Sequence, residues 1–418
     1  MKLDRTPQFE EALRLIKGAA PFVFITGRAG TGKSTLLRHF VETSGLEIPV
    51  LAPTGVAALN VGGETIHRFF RFSPGISVRD AKRKGMAARD NQLYAAIDTV
   101  MIDEISMVRA DLLDCMDEFL RAARGDRRPF GGVRVIAIGD LYQLPPVVAS
   151  AEREAFSKLY PSPYFFSSKV AQLLINEDQF TFLELEKVYR QRDDDFIALL
   201  NGIRNHSITD DELALLNRRA NRTGASGDGV ILTPTNQAAD AINDERLDRV
   251  PWKEQVFEGL ITGDFPPREA PTDVLLRLKR GARVMCVVND AGGKFVNGSL
   301  GWVRAIQKNE IEIELDDGGK AKLEPHTWTL YRSAYDSKTR QLTQERLGSF
   351  TQMPLRLAWA LTIHKSQGKT FDRVTIDLGR GAFAAGQTYV ALSRCRAIRG
   401  LTLIKPSPQG TSVWIMPS

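Results

Sequence analysis

Cysteine is scarce in this chain, and its thiols are widely separated. The 418 residues include only Cys115, Cys286 and Cys395, with no CxxC pair among them. An odd number of distant cysteines excludes a disulfide framework and argues against a structural zinc site. We therefore expect reduced thiols in a cytoplasmic protein, associated with the nucleoid if the source is bacterial.

Long apolar runs and targeting signals are also missing. No hydrophobic run approaches the roughly 18 residues of a membrane span, so we expect no membrane partner. The first 18 residues carry acids and lack the apolar centre of a secretory signal. Their Phe9, Leu13 and Ile16 recur at helical spacing, which predicts an amphipathic helix.

The composition that remains is that of a folded protein with two or three domains. Hydrophobic residues make up 43% of the chain and charged residues 25%, as in ordinary globular proteins. The net charge of +6 is compatible with a polyanionic partner. Many proteins without such a partner are equally basic, so charge alone does not decide the function.

Short β-branched runs separated by helical stretches dominate the chain. They occupy residues 22–26, 50–52, 100–102, 133–138, 230–232, 282–288, 374–378 and 401–404. Most are continuously apolar, which is typical of strands buried on both faces and predicts an α/β fold with parallel sheets. The runs fall into two sets, before and after about residue 170, which indicates two α/β domains.

Residues 300–354 have a different pattern. Polar and apolar residues alternate over 311–315, a turn follows at 316–319, and the chain returns over 320–323. A second hairpin is predicted between 328–335 and 341–351. This segment therefore reads as a small all-β insertion in the second domain.

Residues 27–34, GRAGTGKS, fit the phosphate-loop pattern GxxxxGK[ST]. The loop follows a predicted strand and precedes a predicted helix at 35–41, which is the context that a phosphate loop requires. Its glycines allow successive backbone N–H groups to face phosphate oxygens. Lys33 is expected to reach the β- and γ-phosphates, and the Ser34 hydroxyl to bind Mg²⁺.

Three polar residues follow neighbouring strands and suit ATP hydrolysis. Asp103 and Glu104 end the run 100–102, where Asp103 would hold Mg²⁺ and Glu104 would activate the attacking water. Gln143 follows the run 133–138 and could sense the γ-phosphate. Arg190 and Arg394 are candidate arginine fingers, although composition cannot select them among the many basic residues.

These motifs, in this order, resemble those of the petite-integration-frequency (PIF) DNA helicases of superfamily 1, subgroup B. The resemblance covers nearly the whole chain. Its motifs are 52–58 (APTGVAA), 62–67 (GGETIH), 103–107 (DEISM), 129–132 (PFGG), 139–146 (GDLYQLPP), 189–191 (YRQ), 295–301 (FVNGSLG), 359–368 (WALTIHKSQG) and 387–394 (QTYVALSR).

The resemblance implies two tandem RecA-like domains that bind ATP between them. Domain 1A would span 1–170, with a small accessory element, 1B, at about 62–92. Domain 2A would span 171–299 and 355–418, with an SH3-like insertion, 2B, at 300–354. The implied activity is a 5′→3′ DNA helicase whose ATPase is stimulated by single-stranded DNA.

The resemblance also implies the partners. We expect single-stranded DNA, 5′-tailed duplex, ATP and Mg²⁺ to bind, and the protein to be a monomer in solution. Unwinding of G-quadruplex DNA and of RNA–DNA hybrids is known in the family, although no residue here demonstrates either activity.

Site residues carry over by position. Nucleotide binding is expected at Gln8, Gly27, Ala29, Gly30, Thr31, Gly32, Lys33, Ser34, Thr35 and Gly368. Catalysis is expected at Lys33, Asp103, Glu104, Gln143, Arg190 and Arg394, with Mg²⁺ held by Ser34 and Asp103. DNA contacts are expected at Pro53, Thr54, Gly55, Thr65, His67, Thr233, Thr235, Asn236, Asn297, His364, Lys365 and Ser366.

Two features allow two interpretations each. The basic cluster Arg79, Lys82, Arg83, Lys84 and Arg89 could meet the DNA strand and fork, or could be a solvated helix face. The aromatic residues Phe69, Phe70 and Phe72 could stack on bases, or could anchor this element in a core.

Three other functions compete with the helicase. A P-loop kinase of a small metabolite would not need the second α/β domain, and its ATPase would not respond to single-stranded DNA. A nucleic-acid remodelling protein would use ATP without separating strands. A member of a related subgroup, closer to RecD-like or phage-type helicases, would differ little in function.

Overall fold

The computed structural model divides the chain into two units, and residues within each unit mainly contact one another. It describes residues 6–44, 48–149, 151–189, 191, 193–205, 207–219, 229–290, 292–378 and 386–404. The first unit comprises Met1–Leu141, Pro145–Tyr189 and Thr329–Gly348. The second comprises Tyr142–Leu144, Arg190–Trp328 and Ser349–Ser418.

A parallel sheet forms the centre of the first unit. Its strands are β1 (Phe22–Gly27), β2 (Val50–Ala52), β3 (Glu64–Thr65), β4 (Thr99–Ile102), β5 (Arg134–Ile138) and β6 (Phe180–Leu185). They lie in the order β3-β2-β4-β5-β1-β6. Every residue of β1 is buried, as expected for a central strand covered on both faces.

Helices cover this sheet. They are α1 (Pro7–Lys17), α2 (Lys33–Ser44), α3 (Gly55–Val61), α4 (Ile66–Phe69), α5 (Val78–Ala87), α6 (Gln92–Ala96), α7 (Ala110–Arg124), α8 (Arg153–Ser157) and α9 (Lys169–Asn176). The predicted amino-terminal helix is confirmed as α1, which buries Phe9, Leu13 and Ile16 and is capped by the Thr6 hydroxyl.

The predicted boundary between the two α/β domains, at residue 170, was wrong. Strand β6 pairs in parallel with β1, with Phe22 opposite Phe180, so the first sheet is completed only at Leu185. This strand lies at the sheet edge and has only one fully buried residue, Leu185. Its sequence FTFLEL mixes polar and apolar residues, so it lacked the continuous apolar signal of its neighbours.

The second unit contains another parallel sheet. Its strands are β7 (Val230–Thr233), β18 (Ala360–Thr362), β19 (Val374–Ile376) and β20 (Leu401–Leu403), in the order β18-β7-β19-β20. The helices of this unit are α10 (Asp194–Arg204), α11 (Asp210–Asn217), α12 (Asn236–Asp248) and α13 (Gln387–Leu392). The predicted α/β class with two parallel sheets is confirmed.

A β region separates α12 from β18. Its strands are β8 (Gln255–Glu258), β9 (Leu260–Gly263), β10 (Leu275–Leu278), β11 (Arg283–Cys286), β12 (Leu300–Ile306), β13 (Ile311–Leu315), β14 (Lys320–Leu323), β15 (His326–Asp336), β16 (Gln341–Gln352) and β17 (Leu355–Leu357). They form sheets ordered β14-β13-β12-β11-β17, β15-β16-β9 and β10-β8. Both predicted hairpins, β13–β14 and β15–β16, are confirmed.

The predicted start of the all-β insertion at residue 300 was wrong. The grouping of the run 282–288 with the parallel strands was also wrong. Strand β11 pairs antiparallel with β12 and β17, so the β region extends from β8 to β17. All four residues of β11 are buried. Burial on both faces erases the alternation that distinguishes an antiparallel strand from a parallel one.

The accessory element folds into the core of the first unit. Phe69, Phe70 and Phe72 are buried. The Phe70 ring meets that of Phe69 edge-on and stacks on that of Phe72, and both Phe70 and Phe72 contact Phe119 of α7. The structure therefore supports their interpretation as core anchors. Among the described residues, no helix is both long and apolar enough to cross a bilayer.

The tip of the β15–β16 hairpin belongs to the first unit. The backbone N–H of Ser333 donates to Glu64 Oε1 at 2.8 Å. Tyr335 and Leu342 pack against the same core that holds the phenylalanines. Burial raises the pKa of Glu64, although the Ser333 hydrogen bonds oppose this effect.

Candidate nucleotide and DNA site

The phosphate loop connects β1 to α2 through backbone conformations that only glycine adopts easily. Gly27, Gly30 and Gly32 have φ of +154°, +87° and +86°. A Cβ on Gly27 would lie 2.6 Å from the Leu185 carbonyl oxygen, so space excludes a side chain as well. Within the loop, the Thr31 hydroxyl donates to Arg28 O at 2.9 Å, and Ala29 is buried.

The loop leads directly into α2, whose first residues are Lys33, Ser34 and Thr35. The Lys33 ammonium lies over the loop and donates to the carbonyls of Gly27 at 2.6 Å and Arg28 at 3.0 Å. Ser34 and Thr35 are exposed. The first turn of α2 contains no acidic residue, so its positive dipole end is not neutralised by a carboxylate of the helix.

The two adjacent acids have different environments at the end of β4. Asp103 is 6% exposed, and burial raises the pKa of its carboxyl to about 6. The Glu104 N–H, Lys33 and Arg38 oppose that shift, which places Asp103 within the field of the loop lysine. Glu104 is half-buried and adopts φ +51°, ψ +43°, a strained conformation for a residue other than glycine.

The end of β5 packs closely on the turn that follows Glu104. A Cβ on Gly139 would lie 2.9 Å from Ile105 Cγ2 and 3.0 Å from Ser106 N, so this approach requires glycine. Gln143, four residues later, is buried, and its Oε1 accepts a hydrogen bond from Gln367 Nε2 at 3.2 Å. The structure thus groups Gln143 with the segment that follows β18.

Of the two candidate arginine fingers, only Arg394 lies among the described residues. Arg394 is 1% exposed, and its guanidinium donates to Val390 O at 2.9 Å, Ser393 Oγ at 2.8 Å and Lys369 O at 3.3 Å. These contacts anchor the end of α13 to the segment after β18. Arg190 lies outside the described residues.

The remaining predicted nucleotide residues lie at turns and chain ends. Gln8, in the first turn of α1, accepts a hydrogen bond from the Glu186 N–H at 3.0 Å and thereby ties α1 to the end of β6. Gly368 is exposed and has φ +77°.

Threonines cap helices at the carboxyl ends of two adjacent strands in the first unit. Thr54 follows β2, and its hydroxyl accepts from Ala57 N at 3.3 Å. Thr65 ends β3, and its hydroxyl accepts from Arg68 N at 3.2 Å. Because Ala52 lies opposite Thr65 in the β2–β3 register, both caps lie at one sheet edge.

The second unit has a similar arrangement, although its second threonine caps a turn rather than a helix. Thr235 follows β7 and accepts from Ala238 N at 3.2 Å, while Thr362 ends β18 and accepts from Lys365 N at 3.2 Å. Thr233 lies opposite Thr362 in the β7–β18 register. The backbone of Thr235 (φ −122°, ψ 152°) nearly matches that of Thr54 (φ −127°, ψ 153°). Capped strand ends are therefore present in both units.

The other predicted DNA residues vary in exposure. Thr235, Asn236 and His364 are exposed, and His67, Lys365 and Asn297 are half-buried. Pro53 and Gly55 flank the Thr54 cap. Thr233 and Ser366 are buried, and each hydroxyl donates to a nearby carbonyl, that of Thr235 at 3.1 Å and that of Ile363 at 2.7 Å. These two hydroxyls therefore shape the turns around them.

Sequence reasoning named Thr362 only within the motif 359–368 and did not name Lys369. Thr362 repeats the capping role of Thr65, and its place at the end of a strand was the available signal. Lys369 donates to Asn297 Oδ1, a contact between segments 72 residues apart that no local pattern indicates.

Comparison with known proteins decides the family. A match to the PIF1-like helicases covers residues 8–213. The ATP-dependent DNA helicase Pif1 of Bdellovibrio bacteriovorus is 32% identical over 421 residues, which include 99% of this chain and 90% of that protein. The chain belongs to the PIF1-like helicase family. The human relative, ATP-dependent DNA helicase PIF1, is 36% identical over 94% of this chain, and the chain spans 59% of its length.

Solved structures of a PIF1-like helicase share this fold. Pif1 from Bacteroides sp in complex with ADP-AlF4 is 37% identical and has a TM-score of 0.87, covering 98% of this chain and 94% of that one. The same Bacteroides helicase bound to single-stranded DNA has a TM-score of 0.66 at 37% identity, covering 100% and 95%. The two parallel sheets of this chain are therefore tandem RecA-like domains.

Proposed function

We propose that this chain is an ATP-dependent DNA helicase that moves 5′→3′ along single-stranded DNA and unwinds duplex. The observation that supports this function most strongly is the repeated pair of threonine caps, Thr54 with Thr65 and Thr235 with Thr362. A P-loop kinase of a small metabolite has no use for the second pair. A motor that grips one strand with two RecA-like domains needs both.

The proposed chemistry begins at the phosphate loop. Lys33 and the amino-terminal end of α2 bind the β- and γ-phosphates, and Glu104 activates the attacking water. Ser34 and Asp103 hold Mg²⁺, which neutralises charge on the phosphates when bound. The donor set suits this ion, because Asp103 offers carboxylate oxygens and Ser34 an exposed hydroxyl, and Mg²⁺ prefers oxygen ligands.

The second part of the chemistry rests on the family resemblance. Gln143 is proposed to sense the γ-phosphate, and Arg190 and Arg394 to stabilise the charge that develops on it. Gln8 is proposed to read adenine, and Gly368 to approach the nucleotide through its backbone. The buried hydrogen bonds of Arg394 support a role in which its guanidinium is held rigidly.

DNA is proposed to follow the capped strand ends. Backbone amides, hydroxyls and imidazoles at Pro53–Gly55, Thr65, His67, Thr235, Asn236 and His364 suit phosphate contacts independent of base sequence, and Thr54, Thr235, Asn236 and His364 are exposed. Relatives support these partners, since Bacteroides Pif1 has been solved bound to single-stranded DNA and another structure concerns DNA unwinding at forked duplex DNA by two coordinating Pif1 helicases. The same proposal includes 5′-tailed duplex as substrate and a monomer in solution.

Strand displacement on paired substrates tests the proposal. Wild-type protein should unwind a 5′-tailed duplex with ATP and leave its 3′-tailed counterpart intact, and single-stranded DNA should stimulate ATP hydrolysis. Lys33→Ala should abolish hydrolysis and unwinding while retaining most DNA binding, because the ammonium contacts phosphate and not the strand. Lys17→Ala, at the exposed end of α1, serves as the matched control and should behave as wild type.

Three outcomes would contradict it. ATPase activity that ignores single-stranded DNA would favour a small-molecule kinase. Stimulated ATPase without strand separation would favour a remodelling protein. Full hydrolysis by Lys33→Ala would remove the phosphate loop from the mechanism.

A further inference from the structure

One side-chain contact joins two segments that flank the proposed DNA path in the second unit. Lys369, in the turn after β18, donates through Nζ to Asn297 Oδ1. Asn297 lies in the connection between β11 and β12. Its backbone N–H is bound by Asn289 Oδ1 at 2.8 Å, which fixes the position of its main chain.

The contact sets the orientation of the Asn297 amide. An ammonium group can only donate hydrogen bonds, so the amide oxygen must face Lys369. The amide NH₂ group is therefore directed away from it. No described residue accepts a hydrogen bond from this NH₂ group, and the side chain is half-buried. Asn297 thus presents two fixed N–H donors, which suit an anionic oxygen.

The stem of Lys369 is held in place. It packs against Gly298, whose φ is +103°, and a Cβ on that glycine would lie 3.5 Å from Lys369 Cβ. Burial, and then the nearby Arg356, lower the pKa of Lys369 to about 8. Cys286 faces the same group, and burial raises the pKa of its thiol to about 12, so it stays neutral near pH 8.

The same turn contacts residues assigned to nucleotide sensing. Arg394 Nη1 donates to the carbonyl of Lys369 at 3.3 Å, and Gln367 Nε2 donates to Gln143 Oε1 at 3.2 Å. A shift of Arg394 or Gln143 would therefore move the turn that carries Lys369. Such contiguous contacts are the physical route by which one site can influence another.

We propose that Lys369 is a positioning residue that presents the Asn297 amide NH₂ to a phosphate oxygen of single-stranded DNA. This inference rests on the proposed helicase function and adds to it. Lys369 acts through Asn297, and their contact links DNA grip to the turn that contacts Arg394 and Gln143.

The test compares substitutions at both ends of the contact. Lys369→Met keeps the apolar stem and removes the ammonium, while Lys369→Arg keeps a cationic donor. Asn297→Asp keeps an acceptor for Lys369 but replaces the NH₂ donors with a carboxylate oxygen. Affinity for a fluorescent oligothymidylate is measured by anisotropy, with Lys320→Met on exposed β14 as the control.

Lys369→Met and Asn297→Asp should each weaken binding about tenfold, the range expected for one hydrogen bond to a charged group. The double variant should be no weaker than Asn297→Asp alone, because both changes remove one interaction. Lys369→Arg should recover part of the affinity, and Lys320→Met should match wild type.

A pH profile separates this role from a merely structural one. Wild-type affinity should fall as pH rises through about 8, because the ammonium that orients the amide loses its proton. Lys369→Met should lack this inflection. The profile is recorded from pH 7 to 9.

The inference would be overturned if Asn297→Asp bound the oligothymidylate as tightly as wild type. It would also be overturned if the two substitutions reduced the affinity additively in the double variant. An unchanged pH profile in Lys369→Met would do the same, and Asn297→Asp decides the matter if Lys369→Met fails to fold. The proposed function fails separately, if the wild-type protein shows no DNA-stimulated ATPase and no unwinding.

Discussion

Asp103 shows how a single residue balances stability against chemistry. Its carboxyl group is buried at the end of β4, where burial favours the protonated form. Hydrolysis at neutral pH requires the ionised form to hold Mg²⁺. The fold therefore keeps a carboxylate where its charge is poorly solvated, as active sites often do. The left-handed backbone conformation of Glu104 also lowers the stability of the fold at this point.

Asp103→Asn should stabilise the protein at neutral pH and abolish ATP hydrolysis. The pKa of Asp103 is raised from 3.8 to about 6, so its favourable contribution is complete below pH 3.8 and lost as pH rises through about 6. Asparagine has no charge to bury, and its oxygen can still accept from the Glu104 N–H. Urea unfolding should show a gain of about 2–3 kcal/mol above pH 7 and almost none near pH 4.

Asp126→Asn provides a control of opposite sign. The side-chain hydrogen bond from Arg128 lowers the pKa of Asp126 to about 2. Its contribution is therefore present at neutral pH and lost as pH falls through about 2, so removing it should not stabilise the protein. The expectation would be contradicted if the gain in unfolding free energy of Asp103→Asn over wild type were no larger at pH 8 than at pH 4.

Sequence reasoning reached some site residues and not others for a physical reason. Asp103 and Thr54 lie just after strands, and Lys33 lies at the end of the phosphate-loop pattern, so residue type and spacing indicate where they lie. Lys369 acts on Asn297 across 72 residues, and only the fold brings the two together. Burial also decided what pattern could not, since Phe70 could have stacked on a base but is fully enclosed.

At the scale of elements, the sequence predicted central strands better than edges and insertions. Strands β1, β2 and β4 are short, apolar and buried, and their bounds match the predicted runs closely. The edge strand β6 was left out of the first sheet, and the antiparallel β11 was grouped with the parallel strands. In both, the hydrophobic pattern reflects how deeply the strand is buried and does not reveal which strand it pairs with. The threonine caps were not predicted as caps, although a helix start after a strand has its own chemical signature.

The packing of α5 against α7 depends on one glycine. A Cβ on Gly85 would lie 2.3 Å from the carbonyl oxygen of Phe119 and 3.0 Å from Ala122 Cβ. Side-chain movement cannot relieve a clash with backbone, so the helices must separate. This close contact positions the accessory element, which also contributes Ala81 to the core.

Gly85→Ala should destabilise the first unit although alanine favours helices. Helix propensity would add about 1 kcal/mol of stability, whereas overpacking typically costs 1–3 kcal/mol and here involves a backbone atom. Thermal unfolding should therefore occur at lower temperature. Met86→Ala, at the neighbouring exposed position, should leave the midpoint almost unchanged. An increase in the midpoint for Gly85→Ala would show that the helices can separate at little cost.

At the scale of the whole molecule, the net charge of +6 suggests that many cations bind DNA, whereas the proposed DNA path contains few. The proposed contacts are mostly hydroxyl, amide and imidazole groups, and Lys365 is the one lysine or arginine among them. The basic cluster on and beside α5 is exposed, and part of it is already paired, with Lys82 3.0 Å from Glu118 and Arg83 2.9 Å from Asp80. We therefore expect this cluster to be a solvated face when the ligand is plain single-stranded DNA.

The salt dependence of DNA affinity distinguishes these two surfaces. Each phosphate neutralised on a single strand contributes about −0.7 to the slope of log affinity against log salt, so one or two cations predict a slope of about −1. Five engaged cations from the α5 cluster would instead give a slope of about −3.5. The triple variant Lys82→Gln, Arg83→Gln, Lys84→Gln should leave the shallow slope on oligothymidylate unchanged, whereas Lys365→Gln should reduce it. A steep slope that the triple variant flattens would place the strand on α5 and would show that charge, rather than the capped strand ends, holds the DNA.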